Sequence, residues 1–173
     1  MSDTSFRDLA FSDLDLELAG TRRLLEAAPQ AHFGWRPHEK SWTLGQLTAH
    51  IANLFWWGTM TLTQDEFDMG APMPPNDPPE STEALLATFD RNVAAFRATL
   101  EQQTDADLDK PWTLRSGEHH ISTDPTHMVL RRFTLSHIAH HRGQLSVYLR
   151  LLDVPVPGVY GPSGDDRRGA RSE

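Results

Sequence analysis

Three histidines, His50, His137 and His141, offer the most specific chemistry in this sequence of 173 residues. Hydrophobic periodicity predicts one helix over residues 44–64 and another over residues 125–152. His137 and His141 are four residues apart, so they lie ~40° apart around the second helix, one turn from each other. His50 lies on the apolar stripe of the first helix. If the two helices pack side by side, three imidazoles from two helices come together.

Such a group of imidazoles is typical of a reactive metal site. Imidazole nitrogens one turn apart reach a common ion at ~2.1 Å, and three neutral histidine ligands leave a coordination position for water or substrate. The alternative is that the three rings are hydrogen-bonded core residues, which is the more common role of a single inward histidine.

The other six histidines are less suited to the same ion. His140 lies ~100° around the helix from His141 and is expected at the edge of the bundle or beside a group that supports a metal ligand. His127 lies ~15 Å before His137 along the helix, which is too far to share the ion. The remaining four lie in predicted loops, where exposure is expected: His32, His38, His119 and His120.

Four amphipathic helices are predicted to position these side chains, over residues 6–28, 44–64, 81–103 and 125–152. Each has apolar residues at helical spacing and a proline or capping residue near one end. One short connection and two long ones join them. This order predicts an all-α fold, a four-helix bundle with crossover connections, in a single domain over residues 1–173.

The long connections differ in composition. Residues 69–80 hold five of the twelve prolines, which predicts a surface connection without regular structure. Residues 104–123 alternate in part and carry Ser-Gly at their middle, which suggests a short hairpin or an extended excursion. A turn over the YGPSGDD segment is expected to pack back on the bundle, and residues 162–173 are expected to form a flexible tail that ends in a solvated RRGAR.

Composition excludes several function classes. The chain has no cysteine, so a disulfide, a Cys-ligated zinc, an iron–sulfur cluster and a cysteine nucleophile are all excluded. The formal charge of −8 disfavours binding to nucleic acid. The acidic N-terminus does not resemble a signal peptide, and no apolar run approaches the ~20 residues of a membrane span. We therefore expect a soluble, cytoplasmic protein with no nucleic-acid or membrane partner.

Two segments of the sequence resemble the DinB/YfiT-like family of metal-dependent proteins. They are residues 41–57 (SWTLGQLTAHIANLFWW) and residues 137–166, with an HxxxHRGQL core and a YGPS tail. The resemblance implies a four-helix bundle, usually a homodimer. It also implies a divalent metal, either zinc, nickel, iron or manganese, held by His50, His137 and His141.

The resemblance also implies a class of reaction. Some members are similar to S-transferases that add a low-molecular-weight thiol such as bacillithiol or mycothiol to an electrophile, and a related branch contains maleylpyruvate isomerases. The leading hypothesis is therefore a metal-dependent thiol transferase or detoxifying enzyme. Its metal could hold the thiol as a thiolate at neutral pH.

Two alternatives remain open from the sequence. In one, the protein is a non-catalytic metal-binding dimer of the stress response, in which the ion only joins two helices. In the other, it is a metal-dependent hydrolase, which needs a base near the bound water, with Glu17 and Asp13 as possible sources. HExxH and GxSxG motifs are absent, which disfavours a zincin peptidase and a serine hydrolase. An open coordination position beside a pocket would distinguish the enzymes from the dimer.

Several residues near the histidines have two possible roles, and the catalytic residues are not identified by the sequence. Gln144 and Tyr148 could orient a ligand or satisfy core hydrogen bonds. Arg142 could pair with an acidic neighbour or cap the tail. Three tryptophans flank His50 and could line a pocket, or belong to the core or a dimer interface: Trp42, Trp56 and Trp57.

Overall fold

Three long helices and one interrupted helix form the bundle in the computed structural model, which describes residues 4–73 and 76–166. The three are α2 (Leu14–Glu26), α3 (Leu44–Thr63) and α4 (Thr82–Glu101). Thr43 begins α3 through a capping box with Gln46, in which each side chain bonds to the backbone N–H of the other residue. The predicted bounds of α3 and α4 are therefore confirmed to within two residues.

The segment predicted as one helix over residues 6–28 is in fact two helices, α1 (Phe6–Ala10) and α2. The break at residues 11–13 accompanies a distant contact. The first N–H groups of α1 donate to the carboxylate of Asp105, at 3.0 and 3.1 Å, so the start of α1 is bound to a segment that follows α4. Asp105 itself begins a short helix, α5 (Asp105–Leu108).

The last predicted helix, residues 125–152, also contains an irregularity. It consists of α6 (Thr126–Leu130), a π-helical segment (Arg131–Ser136) and α7 (His137–Leu151). The chain is helical throughout this stretch, so the prediction of a long helix holds, but the wider turn was not predicted. Short π-helical turns are frequent at functional sites.

A three-stranded sheet corrects the all-α prediction. It consists of β1 (Glu66–Asp68), β2 (Pro111–Ser116) and β3 (His119–Pro125), in the order β1-β2-β3. Strands β2 and β3 form an antiparallel hairpin, whose turn residue Gly117 has φ +58°, and β1 pairs with β2 in parallel. The suggested hairpin is confirmed, whereas β1 was not predicted because three residues show no periodicity.

The main core lies between the helices and a second, smaller core lies under the sheet. The main core contains fully buried side chains from all four bundle helices, among them Leu25, Phe55, Phe96 and Leu145. In the second, Trp112 of β2 packs edge to face against Trp57 of α3, with ring centroids 5.4 Å apart. The sheet therefore lies against the part of α3 that follows His50 in the sequence.

Two predicted connections reach beyond the described residues. Residues 74 and 75 of the proline-rich segment 69–80 lie outside them, as does 167–173, which contains the RRGAR sequence. Of the predicted tail, Asp165 accepts hydrogen bonds from Arg150, at 2.7 Å, and from the N–H of Val156, at 2.9 Å. In the described part of the chain, no helix is both long enough and apolar enough to cross a membrane.

Candidate metal centre

The structure brings His50, His137 and His141 together at the contact between α3 and α7. One ring nitrogen from each lies within 4.8 Å of the other two. The Nε2 atoms of His137 and His141 are 2.9 Å apart. The ring of His50 lies edge to face against both, with centroids 5.2 Å from His137 and 4.5 Å from His141. The expected juxtaposition of three imidazoles from two helices is therefore observed.

The opposite nitrogens of the two α7 histidines contact oxygen atoms. His137 Nδ1 lies 3.3 Å from the carbonyl oxygen of Phe133, and His141 Nδ1 lies 2.7 Å from the amide oxygen of Gln144. Both oxygens are acceptors, so each Nδ1 carries the proton and donates. Each Nε2 then presents a lone pair, which is the form in which a histidine binds a metal.

The π-helical segment contributes one of these acceptors. At its end, the backbone N–H of His137 donates to the carbonyl of Thr134, three residues back, and not in the i−4 pattern of an α-helix. The carbonyl of Phe133, four residues back, faces the His137 side chain. The irregular turn thus orients the His137 ring and fixes its tautomer.

His50 has a different environment. Its Nδ1 lies 3.5 Å from the side-chain amide of Asn76, in the connection after β1. Its Nε2 is buried and has no hydrogen-bond partner among the described residues. A buried polar atom without a partner costs free energy, of order 1–3 kcal/mol, so such an atom calls for an explanation.

A divalent cation fits this arrangement. Two lone pairs that face each other at 2.9 Å repel unless a proton or a cation lies between them. Two nitrogens that each bind one ion at about 2.1 Å are about 3 Å apart, close to the observed distance. An ion bound to Nε2 of His50 would give that buried atom a partner, and Nδ1 would then carry the proton, for which the side-chain oxygen of Asn76 has to face it. The donor set of three imidazoles suits zinc, nickel and iron and does not select among them, whereas manganese favours oxygen ligands.

Burial also prepares the rings for a metal. It lowers the pKa of both His50 and His141 to about 4, and it lowers the pKa of His137 below its usual value. The neighbouring rings add to the effect on His50 and His141, because two imidazolium charges so close together repel. The cluster is therefore neutral at pH 7, and an ion does not have to displace protons to bind.

Trp42 covers one side of the cluster. Its ring stacks on that of His141, with centroids 5.7 Å apart and planes inclined by 23°, and its centroid is 4.8 Å from that of His50. The carbonyl of Trp42 accepts a hydrogen bond of 3.1 Å from the hydroxyl of Tyr148. Tyr148 therefore acts on the site through the loop that carries Trp42.

A cavity of about 360 Å³ opens beside His50 and His137. Two of the three rings that form the cluster line it, together with apolar side chains from α3, β2 and the π-helical segment. All three tryptophans that flank His50 in the sequence are among the lining residues: Trp42, Trp56 and Trp57. A pocket therefore adjoins the candidate metal centre, as an enzyme would require.

Arg142, next to His141, points away from the cluster into the bundle. Its guanidinium is buried and pairs with the buried carboxylate of Glu17 on α2. It also contacts the hydroxyl of Tyr160, which in turn bonds to Glu17 at 2.9 Å. Both roles considered for Arg142 are thus observed, because it pairs with an acidic residue and holds the segment after α7.

The other histidines lie elsewhere. His140 is exposed, with its ring 4.9 Å from that of His141, and the Nδ1 of His127 bonds to the carbonyl of Leu108 at 3.0 Å. The four histidines expected at the surface are exposed: His32, His38, His119 and His120.

Sequence reasoning missed several residues of the site. Asn76 and Met73 come from the proline-rich connection, and Leu114 comes from β2. No local pattern marks them, because they meet the histidines only through the tertiary fold.

Comparisons with known proteins agree with this architecture. The sequence model of the DinB superfamily matches residues 13–145. A crystal structure of a DinB-like protein from Bacillus cereus has the same fold, with a TM-score of 0.67, 23% sequence identity and coverage of 87% of this chain and 95% of the other. A second, YjoA from Bacillus subtilis, has a TM-score of 0.63 at 19% identity, with coverage of 85% and 96%.

Two proteins of similar sequence do not assign an activity to this chain. YrdA of Bacillus subtilis is 27% identical over 153 residues, which cover 88% of this chain and 86% of YrdA. YjoA is 28% identical over 134 residues, which cover 75% of this chain and 80% of YjoA. Both are described as uncharacterized proteins.

Proposed function

Because the chain belongs to the DinB superfamily, we propose that it is a metal-dependent enzyme that transfers a low-molecular-weight thiol to a small electrophile. One observation carries this proposal. One ring nitrogen from each of three neutral histidines lies within 4.8 Å of the other two beside a cavity, and among the described residues no carboxylate joins them. Such a site has room for a ligand and a substrate but lacks a base of its own.

Thiol transfer suits a site without a base. A divalent ion held by His50, His137 and His141 would supply positive charge that lowers the pKa of a bound thiol, so the thiol is deprotonated at neutral pH. The phenolic, amide and carbonyl groups around the rings hold the histidines and the Trp42 loop in position. Gln144 and the Phe133 carbonyl hold the Nδ1 protons, and Tyr148 holds the Trp42 loop over the rings.

The proposed transfer needs no reactant besides the thiol and the electrophile. The thiol proton passes to solvent, and a sulfur electron pair forms the new bond to an electrophilic carbon in the cavity. The leaving group departs with the electron pair of the bond that breaks. No side chain has to take up a proton, which is consistent with the absence of charged groups from the described lining of the cavity.

The hydrolase alternative has less support. Glu17 and Asp13 were the candidate bases, and each is engaged elsewhere. Glu17 is buried in its pair with Arg142, and Asp13 bonds to Arg131 at 2.7 Å, which lowers the pKa of Asp13. The non-catalytic alternative predicts a closed metal site, whereas His50 and His137 border a cavity.

The test is an assay of thiol consumption. Protein loaded with zinc, nickel, iron or manganese is mixed with a panel of thiols, namely cysteine, coenzyme A, glutathione, bacillithiol and mycothiol, and with monobromobimane as the electrophile. We expect at least one combination to exceed the uncatalysed rate and to lose that excess in His141→Ala. No excess with any metal and thiol, in protein shown to hold the metal, would contradict the proposal.

A further inference from the structure

The cavity beside the histidines is lined almost entirely by apolar side chains. Its wall combines leucine, methionine and aromatic residues with two histidines, His50 and His137, and two amides, Asn53 and Asn76. Among the described residues this lining contains no Asp, Glu, Lys or Arg. A charged group that entered the cavity would lose its hydration and would meet no opposite side-chain charge.

The amides of the lining do not substitute for a charge. Asn76 faces His50 Nδ1, and the side-chain oxygen of Asn53 accepts a hydrogen bond of 3.3 Å from Asn92. The nearby cation Arg115 lies on β2 and is held by Glu66 and Asp68, at 2.9 and 2.6 Å. The cavity is thus built to take an uncharged molecule.

The volume and the lining of the cavity restrict the class of ligand further. A cavity of about 150 Å³ holds one benzene, so about 360 Å³ corresponds to roughly two aromatic rings. At the mouth, Trp42, Met69 and Met73 are 41%, 48% and 48% exposed. Tryptophan and methionine both make favourable contacts with aromatic ligands, and methionine adapts to their shape.

We propose that the acceptor substrate of this site is a neutral, largely apolar electrophile of about two rings, which enters past Trp42 and Met73. The thiol's charged groups then remain in solvent while its sulfur reaches the histidine end of the cavity. The role of this molecule as the acceptor of the thiol rests on the proposed function. The preference for a neutral molecule follows from the cavity alone.

A matched pair of fluorescent probes tests that selection without catalysis. 2-Naphthol is a neutral molecule of two rings, and 6-hydroxynaphthalene-2-sulfonate is the same ring system with one added sulfonate. Both are titrated into the purified full chain in its metal-free form, so that no cation at His50 and His137 attracts the sulfonate. We expect the neutral probe to bind about tenfold tighter or more.

Two lysine variants locate the effect. Met73→Lys places a cation at the mouth and is expected to reduce the ratio of the two affinities to about threefold or less. Met128→Lys is the matched control, since Met128 is an exposed methionine, 52% accessible, and is not a lining residue. It is expected to leave the ratio unchanged.

Three results would overturn the inference: no binding of the neutral probe, equal affinities in the unmodified chain, or equal responses of the two variants. Each is distinct from a failure of the proposed function, which appears as absent thiol transfer while the preference for the neutral probe persists.

Discussion

His137 and His141 lie one turn apart on α7 with their Nε2 atoms 2.9 Å apart, and each ring presents its opposite nitrogen to an oxygen acceptor. Two nitrogens that both carry lone pairs repel at this distance. A proton or a cation between the two nitrogens removes this repulsion, and a bound cation does so while both Nδ1 atoms keep their protons. The buried His50 Nε2, from α3, points to the same requirement.

Loss of the Gln144 amide is expected to weaken metal binding without abolishing it. In Gln144→Ala, His141 Nδ1 loses its acceptor and the ring loses its fixed tautomer and orientation. The partners of metal-bound histidines typically account for about 10- to 100-fold in affinity. Competition with a chromophoric zinc chelator measures the change.

A serine on the same helix provides the control. The hydroxyl of Ser146 donates a hydrogen bond to the carbonyl of Gly143, and among the described residues it forms none with the three histidines. Ser146→Ala is expected to retain the affinity of the unmodified chain. An unchanged affinity in Gln144→Ala would contradict the role given to this amide.

Removal of the Glu17 charge is expected to destabilise the bundle strongly. In Glu17→Gln, the buried Arg142 guanidinium loses its opposite charge, and loss of one partner from a buried pair costs about 3–5 kcal/mol in the free energy of unfolding. Urea denaturation followed by circular dichroism measures the loss. A zinc content equal to that of the unmodified chain would be consistent with a structural role.

An exposed pair supplies the comparison. Arg22 and Asp90 join α2 to α4 at the surface, with a contact of 3.0 Å. Asp90→Asn is expected to cost less than about 1 kcal/mol. If Glu17→Gln costs no more than this variant, the buried pair does not stabilise the fold.

Acid is expected to destabilise the metal-free protein over a defined window. Burial lowers the pKa of His50 and His141 to about 4, whereas in the unfolded chain both histidines have the ordinary pKa of about 6.5. Between these values the unfolded state binds protons that the folded state does not. The free energy of unfolding should therefore fall as the pH drops from 6.5 to 4.

Urea denaturation of the metal-free chain at pH 7 and pH 5 measures this fall. The double variant His50→Gln, His141→Gln removes both depressed groups and should show a clearly smaller decrease. A stability that stays level or rises toward pH 5 in the unmodified chain would contradict the neutral state of the cluster.

The histidine cluster could be predicted because its signal is local. The four-residue spacing of His137 and His141 places them on one helical face, and His50 falls within a strongly periodic helix. The caps Thr43 and Ser81 likewise set the starts of α3 and α4. These features depend on neighbours along the chain.

The cavity could not be predicted in the same way. Its wall uses Leu114 from the sheet, and strand β1 pairs with β2 across more than forty residues of sequence, for instance Phe67 with Leu114. The π-helical segment before His137 has no sequence signature either. The break in the first helix accompanies a distant contact, that of Asp105 with the start of α1. The homodimer and the cytoplasmic location stay predictions.

The central claim is tested most directly by the metal content of the chain. The protein is purified without an affinity tag or a chelator, incubated with zinc, nickel, iron and manganese salts, desalted and analysed for its elements. The same measurement is made on His50→Ala, His141→Ala and the control His140→Ala, after circular dichroism has shown that each is folded. His140 is the exposed neighbour of His141, so it controls for the loss of one imidazole.

We predict about one ion per chain in the unmodified protein and in His140→Ala, and almost none in the other two variants. A protein that takes up no metal from any of the four salts would contradict the account. So would a His50→Ala variant that retains its full metal content.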